Sequence, residues 1–436
     1  MKDKPSIIAL RTIIAFMSAK QGDHETHGAP LGAADIAGIK KRIGFDPEKH
    51  FFVPDEVYKY WAEVKAKGSA AEAKWKVTVE EYCKKYPSDG AQFTRIFSGK
   101  LPEGWKSKLP VFPTSTPADA TRNYSGKVLN AVAELLPELM GGSADLTPSN
   151  KTLLKIAKDF QKDTPTGRYL RFGVREHGMM AIGNGISAYG GFIPFTATFL
   201  NFISYGFPSV RLSALSHHRH ILIMTHDSIG LGEDGPTHQP VEILSLCRAT
   251  PRILTMRPAD GNEVSGAYMI GLEYDGPTVI CCSRQNVPSL AASSPEKVAL
   301  GAYVVEESKS SKPDLIYIAT GSEVGIALDS AKASGKNVRV VSAPCLELFD
   351  KQPVSYRREV LTPGVPIISI EASGPLGWEK YAHFSISIKQ WGASAPYQEI
   401  YKQYGFVPEK IIAKTSEYLG LLKEGGISLL RTHYDI

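Results

Sequence analysis

Between Thr225 and Pro240 the chain reads T-H-D-S-I-G-L-G-E-D-G-P-T-H-Q-P, two histidines, three acids and three glycines directly after the apolar run H-I-L-I-M. Imidazoles can pass protons or bind metal, carboxylates can read hydroxyl groups, and glycines let the backbone approach a ligand closely. His226 and His238 could ligate a metal, but no third Cys or His stands at a familiar spacing. The other reading makes them loop histidines hydrogen-bonded to backbone. Glu176, in R-F-G-V-R-E-H-G, lies between an apolar run and the helical pattern M-M-A-I-G-N-G-I-S-A. A carboxyl set between apolar elements can hold or donate a proton near neutrality, or it can simply favour a helix N-terminus. Arg122 and Arg284 carry planar forks that suit phosphate, although a surface ion pair would use them equally well. Phe199, Phe202 and Tyr205 recur every three residues, on roughly one helical face; such a stripe packs a core or walls a flat ring. The run H-H-R-H at His217–His220 reads as a solvated corner between helix and strand.

Those residues need a scaffold, and the pattern around them is α/β. Lys127–Leu139 and Asn262–Tyr274 read as helices, the second with Asp260 and Glu263 spaced as a capping box. Tyr169–Val174, Phe192–Thr196, His220–Thr225, Arg252–Met256 and Thr278–Ser283 are apolar runs of strand length. Strands alternating with helices predict a parallel sheet with helices on both faces. Ligands on such sheets bind beyond the carboxyl ends of the strands, which is where each polar cluster falls. One mouth is therefore expected to gather Glu176, His177, His226, Asp234, His238 and Arg284. Near residue 300, D-L-I-Y-I-A-T, G-S-E-V-G-I-A-L-D-S-A-K and N-V-R-V-V-S-A begin a second α/β unit with a largely helical tail. Upstream, Ile7–Phe16 reads as a buried strand, the region to Lys85 as charged helix, and P-S-D-G with L-P-E-G-W-K-S-K-L-P-V-F-P as a connector.

The 436 residues allow two or three domains, and a net charge of +5 without a long basic run argues against a nucleic-acid partner. Five cysteines without CxxC spacing argue against a disulfide framework or structural zinc and for a reducing, cytoplasmic location. The apolar stretches are too short to span a bilayer, so no membrane partner is expected. The apolar N-terminal segment resembles a weak signal peptide, but Arg11 interrupts it and a buried strand explains it better.

Together with G-G-S-A-D-L-T-P-S-N, F-L-N-F-I-S-Y, R-P-A-D-G-N-E-V and S-R-Q-N, these stretches resemble the transketolase family, in the family's order and through essentially the whole chain. The resemblance implies thiamine diphosphate as cofactor and transfer of a two-carbon ketol unit from a ketose phosphate to an aldose phosphate. It implies that Glu176 is the catalytic acid that hydrogen-bonds the cofactor's aminopyrimidine. It implies that Phe199, Phe202 and Tyr205 form the pyrimidine pocket, and that Asp145 lies near the cofactor. Arg122, Ser149, His226 and Arg284 match groups around the sugar phosphate, and Asp234 one that reads a sugar hydroxyl. His238 and His27, in T-H-G-A-P, match histidines at the reacting end, with His27 also near the diphosphate. The implied assembly is a homodimer whose site lies between subunits.

The family's G-D-G motif, which with a later Asn holds the diphosphate and its Mg²⁺ or Ca²⁺, is absent: S-D-G, E-D-G, A-D-G and Y-D-G occur instead. No metal ligand is therefore assigned in this chain. The expectation is a chain that starts inside the diphosphate-binding domain, with residues 1–90 its remnant and linker, 91–297 the pyrimidine-binding domain and 298–436 a C-terminal α/β domain. The expected partner is a second copy in a homodimer or a complementary N-terminal chain, the latter supplying what this chain lacks. Two other readings stay open: a dihydroxyacetone synthase-like enzyme, and a non-catalytic chain that associates with intact subunits. The retained Arg122 and Arg284 favour a phosphorylated substrate over formaldehyde.

Overall fold

The computed structural model describes residues 3, 4, 6–310 and 312–425, which fall into two compact units, one up to Ala91 and one from Gln92 onward. The first unit is helical, with Ala33–Arg42 and the 31-residue helix Asp55–Lys85. Ile7–Phe16 forms no strand there: Ile7, Ile8 and Leu10 are 95, 88 and 80% exposed. A strand needs a partner for its backbone groups, and no other strand exists among the described residues of this unit. P-S-D-G is likewise not a connector but opens the helix Pro87–Phe97, where a proline's missing N–H costs nothing.

The second unit holds two sheets and a short antiparallel pair, β1 (Asp119–Ala120) with β8 (Asn286–Val287). The larger sheet contains β2 (Leu139–Ser143), β3 (Tyr169–Arg171), β4 (Ile193–Phe199), β5 (His220–Thr225), β6 (Leu254–Met256) and β7 (Pro277–Cys282). All six run parallel in the order β3-β2-β4-β5-β7-β6. Period-two alternation divides its faces. Ile221 and Ile223 of β5 pack towards Val128, Leu129, Val264 and Tyr268, from the helices Thr121–Leu135 and Gly261–Glu273. Leu222 and Met224 pack towards Met179, Met180, Ile203 and Val210, from Glu176–Tyr189 and Ile203–Leu215. Helices thus cover both faces. The first of them starts six residues before the expected Lys127.

The second sheet holds β9 (Tyr303–Glu306), β10 (Leu315–Ala319), β11 (Val338–Ser342), β12 (Ile367–Ile370) and β13 (Phe384–Ile386), in the order β13-β12-β10-β11-β9 with only β9 antiparallel. No helix among the described residues is long and apolar enough to cross a membrane. Two local readings change. Phe199, Phe202 and Tyr205 do not share one helix, because β4 runs to Phe199, a 3-10 turn carries Phe202 and the next helix carries Tyr205. His220 is not a solvated corner: it opens β5, fully buried, with Thr196 Oγ1 at 2.8 Å from its Nε2.

Candidate active site

Because its strands are parallel, the larger sheet delivers all its carboxyl ends to one edge, and the chain order reverses between β2 and β4. That reversal opens a crevice. Thr225 ends β5, and His226 follows it with φ 59°, a left-handed turn that throws its ring sideways across the crevice. The ring stacks on Phe199, centroids 3.6 Å apart at 26°. Phe199 in turn lies parallel to Phe202 at 5.6 Å and 15°. His238 closes the group edge-on, 5.1 Å from Phe202 and 6.0 Å from Phe199. Tyr205 continues the wall at 6.0 Å from Phe202 and is largely exposed.

Two guanidinium groups meet this wall. Arg122 Nη1 lies 3.4 Å from His226 Nε2 and donates to the Ser149 carbonyl at 3.1 Å. Burial, and then the charge of nearby Arg284, lower the pKa of Arg122, with Asp119 and Asp234 acting in the other direction. Its Nε is buried without a partner among the described residues. Burial, followed by the charges of Arg122, Arg284 and His238, pushes His226 down to about 3, so its imidazole is neutral at any physiological pH. Arg284 keeps a loose contact with Glu233 at 3.6 Å and remains partly exposed. A neutral imidazole beside two guanidinium groups favours an anionic ligand.

The structure therefore brings together Arg122, Ser149, Phe199, Phe202, Tyr205, His226, His238 and Arg284, with Asp234 close enough to act on Arg122 electrostatically. Glu176 opens the helix Glu176–Tyr189 and is buried. Its first turn packs on the helix that carries Tyr205, so tightly that a Cβ on Gly206 would sit 2.9 Å from the Glu176 carbonyl oxygen. Asp145 is exposed in a left-handed turn, φ 59°, just past β2. His177 faces Ser209, 3.4 Å away, on the neighbouring helix. His27 ends the short turn His24–His27 of the first unit, exposed.

The supports of the site were not singled out from sequence. Asn150 is fully buried and bonds to Ser143 Oγ at 2.7 Å, the Thr198 carbonyl at 3.1 Å and Thr225 Oγ1 at 2.7 Å, tying the ends of β2, β4 and β5. Asn201 Nδ2 reaches the Thr237 carbonyl at 2.7 Å and joins the aromatic turn to the histidine loop. Gln239 Nε2 donates to Gly232 and Ala393 carbonyls at 3.0 and 2.9 Å, fastening that loop to the C-terminal sheet's surroundings. The only signal in the sequence was position: Asn150 and Thr225 stand at strand ends beside the expected site.

A parallel sheet that collects an aromatic wall and two guanidinium groups at its carboxyl edge defines an α/β protein with a cationic, aromatic-lined crevice at the mouth of its sheet. More specifically, the chain belongs to the transketolase family. Residues 1–102 match the transketolase thiamine diphosphate binding domain, 118–289 the transketolase pyrimidine binding domain, and 301–407 the transketolase-like C-terminal domain. The chain is 48% identical over 433 residues to Transketolase 1 of Saccharomyces cerevisiae, covering 97% of this chain and 63% of that one. It is 46% identical to the chloroplastic transketolase of Craterostigma plantagineum, with 96% and 83% covered. It resembles the crystal structure of transketolase from Pichia stipitis in complex with sedoheptulose 7-phosphate, with a TM-score of 0.91, 45% identity, and 95% of this chain and 63% of that one covered. The chain spans roughly three fifths of the length of most relatives it matches.

Proposed function

We propose that this chain supplies the pyrimidine side of a transketolase-type site that moves a two-carbon ketol unit from a ketose phosphate to an aldose phosphate. The observation that carries the reading is the parallel Phe199–Phe202 pair set against the convergent Arg122, His226 and Arg284. Thiamine diphosphate, when bound, supplies the electron sink for breaking and forming the carbon–carbon bond. Phe202, with Phe199 and Tyr205, offers the flat wall for its pyrimidine. Glu176, buried at the start of its helix, is the residue we assign to hydrogen-bond a ring nitrogen of the pyrimidine. Arg122, Ser149, His226 and Arg284 grip the sugar phosphate, Asp234 reads a hydroxyl, and His238 serves proton movement at the reacting end, with Asp145 beside the cofactor; His27, in the first unit, is assigned a proton-moving role by the family's pattern alone. A sugar phosphate is the ligand of the Pichia stipitis neighbour, which supports that class of substrate.

The residues present fit the pyrimidine end of the cofactor and not its metal. Among the described residues no three His, Cys, Asp or Glu side chains stand together to hold an ion, and the sequence has no G-D-G. The ligands for Mg²⁺ or Ca²⁺ and the diphosphate grip would then come from residues other than these, and we place the chain in the cytoplasm, where its five free cysteines stay reduced. The same observation favours, as a second reading, a chain that associates with intact subunits without turnover of its own.

Calorimetric titration of the chain with thiamine diphosphate and Mg²⁺, followed by ketose-phosphate turnover in the same sample, decides between them. Turnover is expected only after a diphosphate-binding partner is added, and Glu176→Ala is expected to abolish it, by a factor of at least about 10². Full turnover by the unpartnered chain would reject the half-site reading. Failure of Glu176→Ala to slow the complemented enzyme would reject the role of Glu176.

A further inference from the structure

The hydrogen bonds behind His226 fix which of its nitrogens carries the proton. Asn150 Oδ1 faces the Ser143 hydroxyl, and its Nδ2 faces the Thr198 carbonyl. A carbonyl oxygen only accepts, so the amide cannot be turned round and Nδ2 must be the donor on that side. The second N–H of the same group goes to Thr225 Oγ1. Thr225 is fully buried, and the other polar atom that its hydroxyl meets is His226 Nδ1, at 2.8 Å. Were Nδ1 protonated, the threonine oxygen would receive two N–H groups while its own hydrogen lay buried with no acceptor. The hydroxyl therefore donates to Nδ1. Since burial keeps the ring neutral, its single proton is on Nε2.

Nε2 then points its N–H at Arg122 Nη1, 3.4 Å away. Two donors then face one another and neither satisfies the other, so an acceptor oxygen of a ligand lying against both would receive both N–H groups. We infer that Asn150 and Thr225 are positioning residues that hold His226 as its Nε2–H tautomer, making it a neutral donor that shares one oxygen of an anionic ligand with Arg122. That this oxygen belongs to a sugar phosphate rests on the function proposed above; the tautomer does not.

The test is the long-range proton–nitrogen spectrum of the full chain labelled with ¹⁵N-histidine at neutral pH, with His226 assigned by the signals lost in His226→Gln. The expected spectrum shows Nδ1 as an unprotonated acceptor and Nε2 protonated. Thr225→Ser should keep that pattern, whereas Thr225→Val should shift the ring to the Nδ1–H form or a mixture and weaken inorganic phosphate binding about tenfold. Inorganic phosphate should move the Nε2 signal of the unaltered chain. A protonated Nδ1 in the unaltered chain overturns the inference, even if Thr225→Val does not fold. So does a folded Thr225→Val chain with an unchanged tautomer. Phosphate that leaves His226 unmoved while the tautomer stands overturns the shared-oxygen role, and a cofactor titration that fails touches only the proposed function.

Discussion

Two buried histidines set the acid limit of this fold. His226 lies against Phe199 and the arginines, and His220 lies inside the sheet with Asn184 Oδ1 3.3 Å from its Nδ1. Burial first, then neighbouring positive groups, holds each down to about 3. In the unfolded chain an imidazole protonates near pH 6.5. Below that value the unfolded chain takes up protons that the folded chain refuses. Their contribution is therefore intact above about pH 6.5 and drains as the pH falls towards 3, by about 2 kcal/mol per histidine at pH 5. Burial and the neighbouring Asp260 push Glu263 up to about 7, which works in the opposite sense but is common to the parent and to a histidine variant. Urea midpoints measured from pH 7 to 5 should thus fall less steeply for His226→Gln than for the parent. Parallel curves would mean that His226 takes up its proton equally in the folded and unfolded chain.

At the scale of elements, the site depends on how closely two helices approach. Gly206 lets the helix Ile203–Leu215 lie on Glu176–Tyr189: an added Cβ would stand 2.3 Å from Met180 Sδ and 2.9 Å from the Glu176 carbonyl oxygen. The methionine can swing away, but the backbone oxygen cannot, so Gly206→Ala should cost about 1–3 kcal/mol in urea unfolding and displace Glu176 and Tyr205 together. An unchanged midpoint would show that the helices separate freely. This packing also explains what the sequence could and could not reveal. The run H-I-L-I-M-T declares a strand because four apolar residues, Ile221–Met224, stand together at its centre, and it is one within the same bounds, His220–Thr225. The motif residues were legible one by one, yet their spacing misplaced the aromatic trio on one helix, because the change from strand to turn at Phe199 leaves no local mark. Ile7–Phe16 reads as a strand for the same apolar reason, but a strand is a property of a pair and the described residues of the first unit offer no second one. Asn150 and Thr225 matter through bonds between distant segments, which no local pattern encodes.

Across the whole second unit, the histidine loop is held by a buried ionic cluster that joins its two sheets. Asp227, next to His226, accepts from Arg257 Nε at 2.9 Å, and the same guanidinium reaches Thr320 Oγ1 at 2.8 Å and pairs with Glu323 at the start of a C-terminal helix. Arg257 is 0% exposed. Beside it Arg248 forms a bidentate pair with Glu371, 2.8 and 2.7 Å, just past β12. Burial would raise the Glu371 carboxyl, but Arg248 and Arg257 bring it down to about 2. Gln239 and Ser394 pin the rest of the loop to the segment 392–394. Replacing Arg257 by Met fills the space but strands two buried carboxylates, a change that costs about 3–5 kcal/mol where a pair is broken from one side. The penalty falls on the seam and not within either sheet. Arg257→Met should therefore split unfolding into two transitions and speed hydrogen exchange across residues 226–240, while the strands of both sheets stay protected. Arg257→Met with Glu323→Gln should recover part of the loss, since one stranded charge is gone. A single cooperative transition in Arg257→Met with normal protection of the loop would show instead that apolar packing alone binds the sheets, and that the cluster next to His226 serves the site without holding the domains.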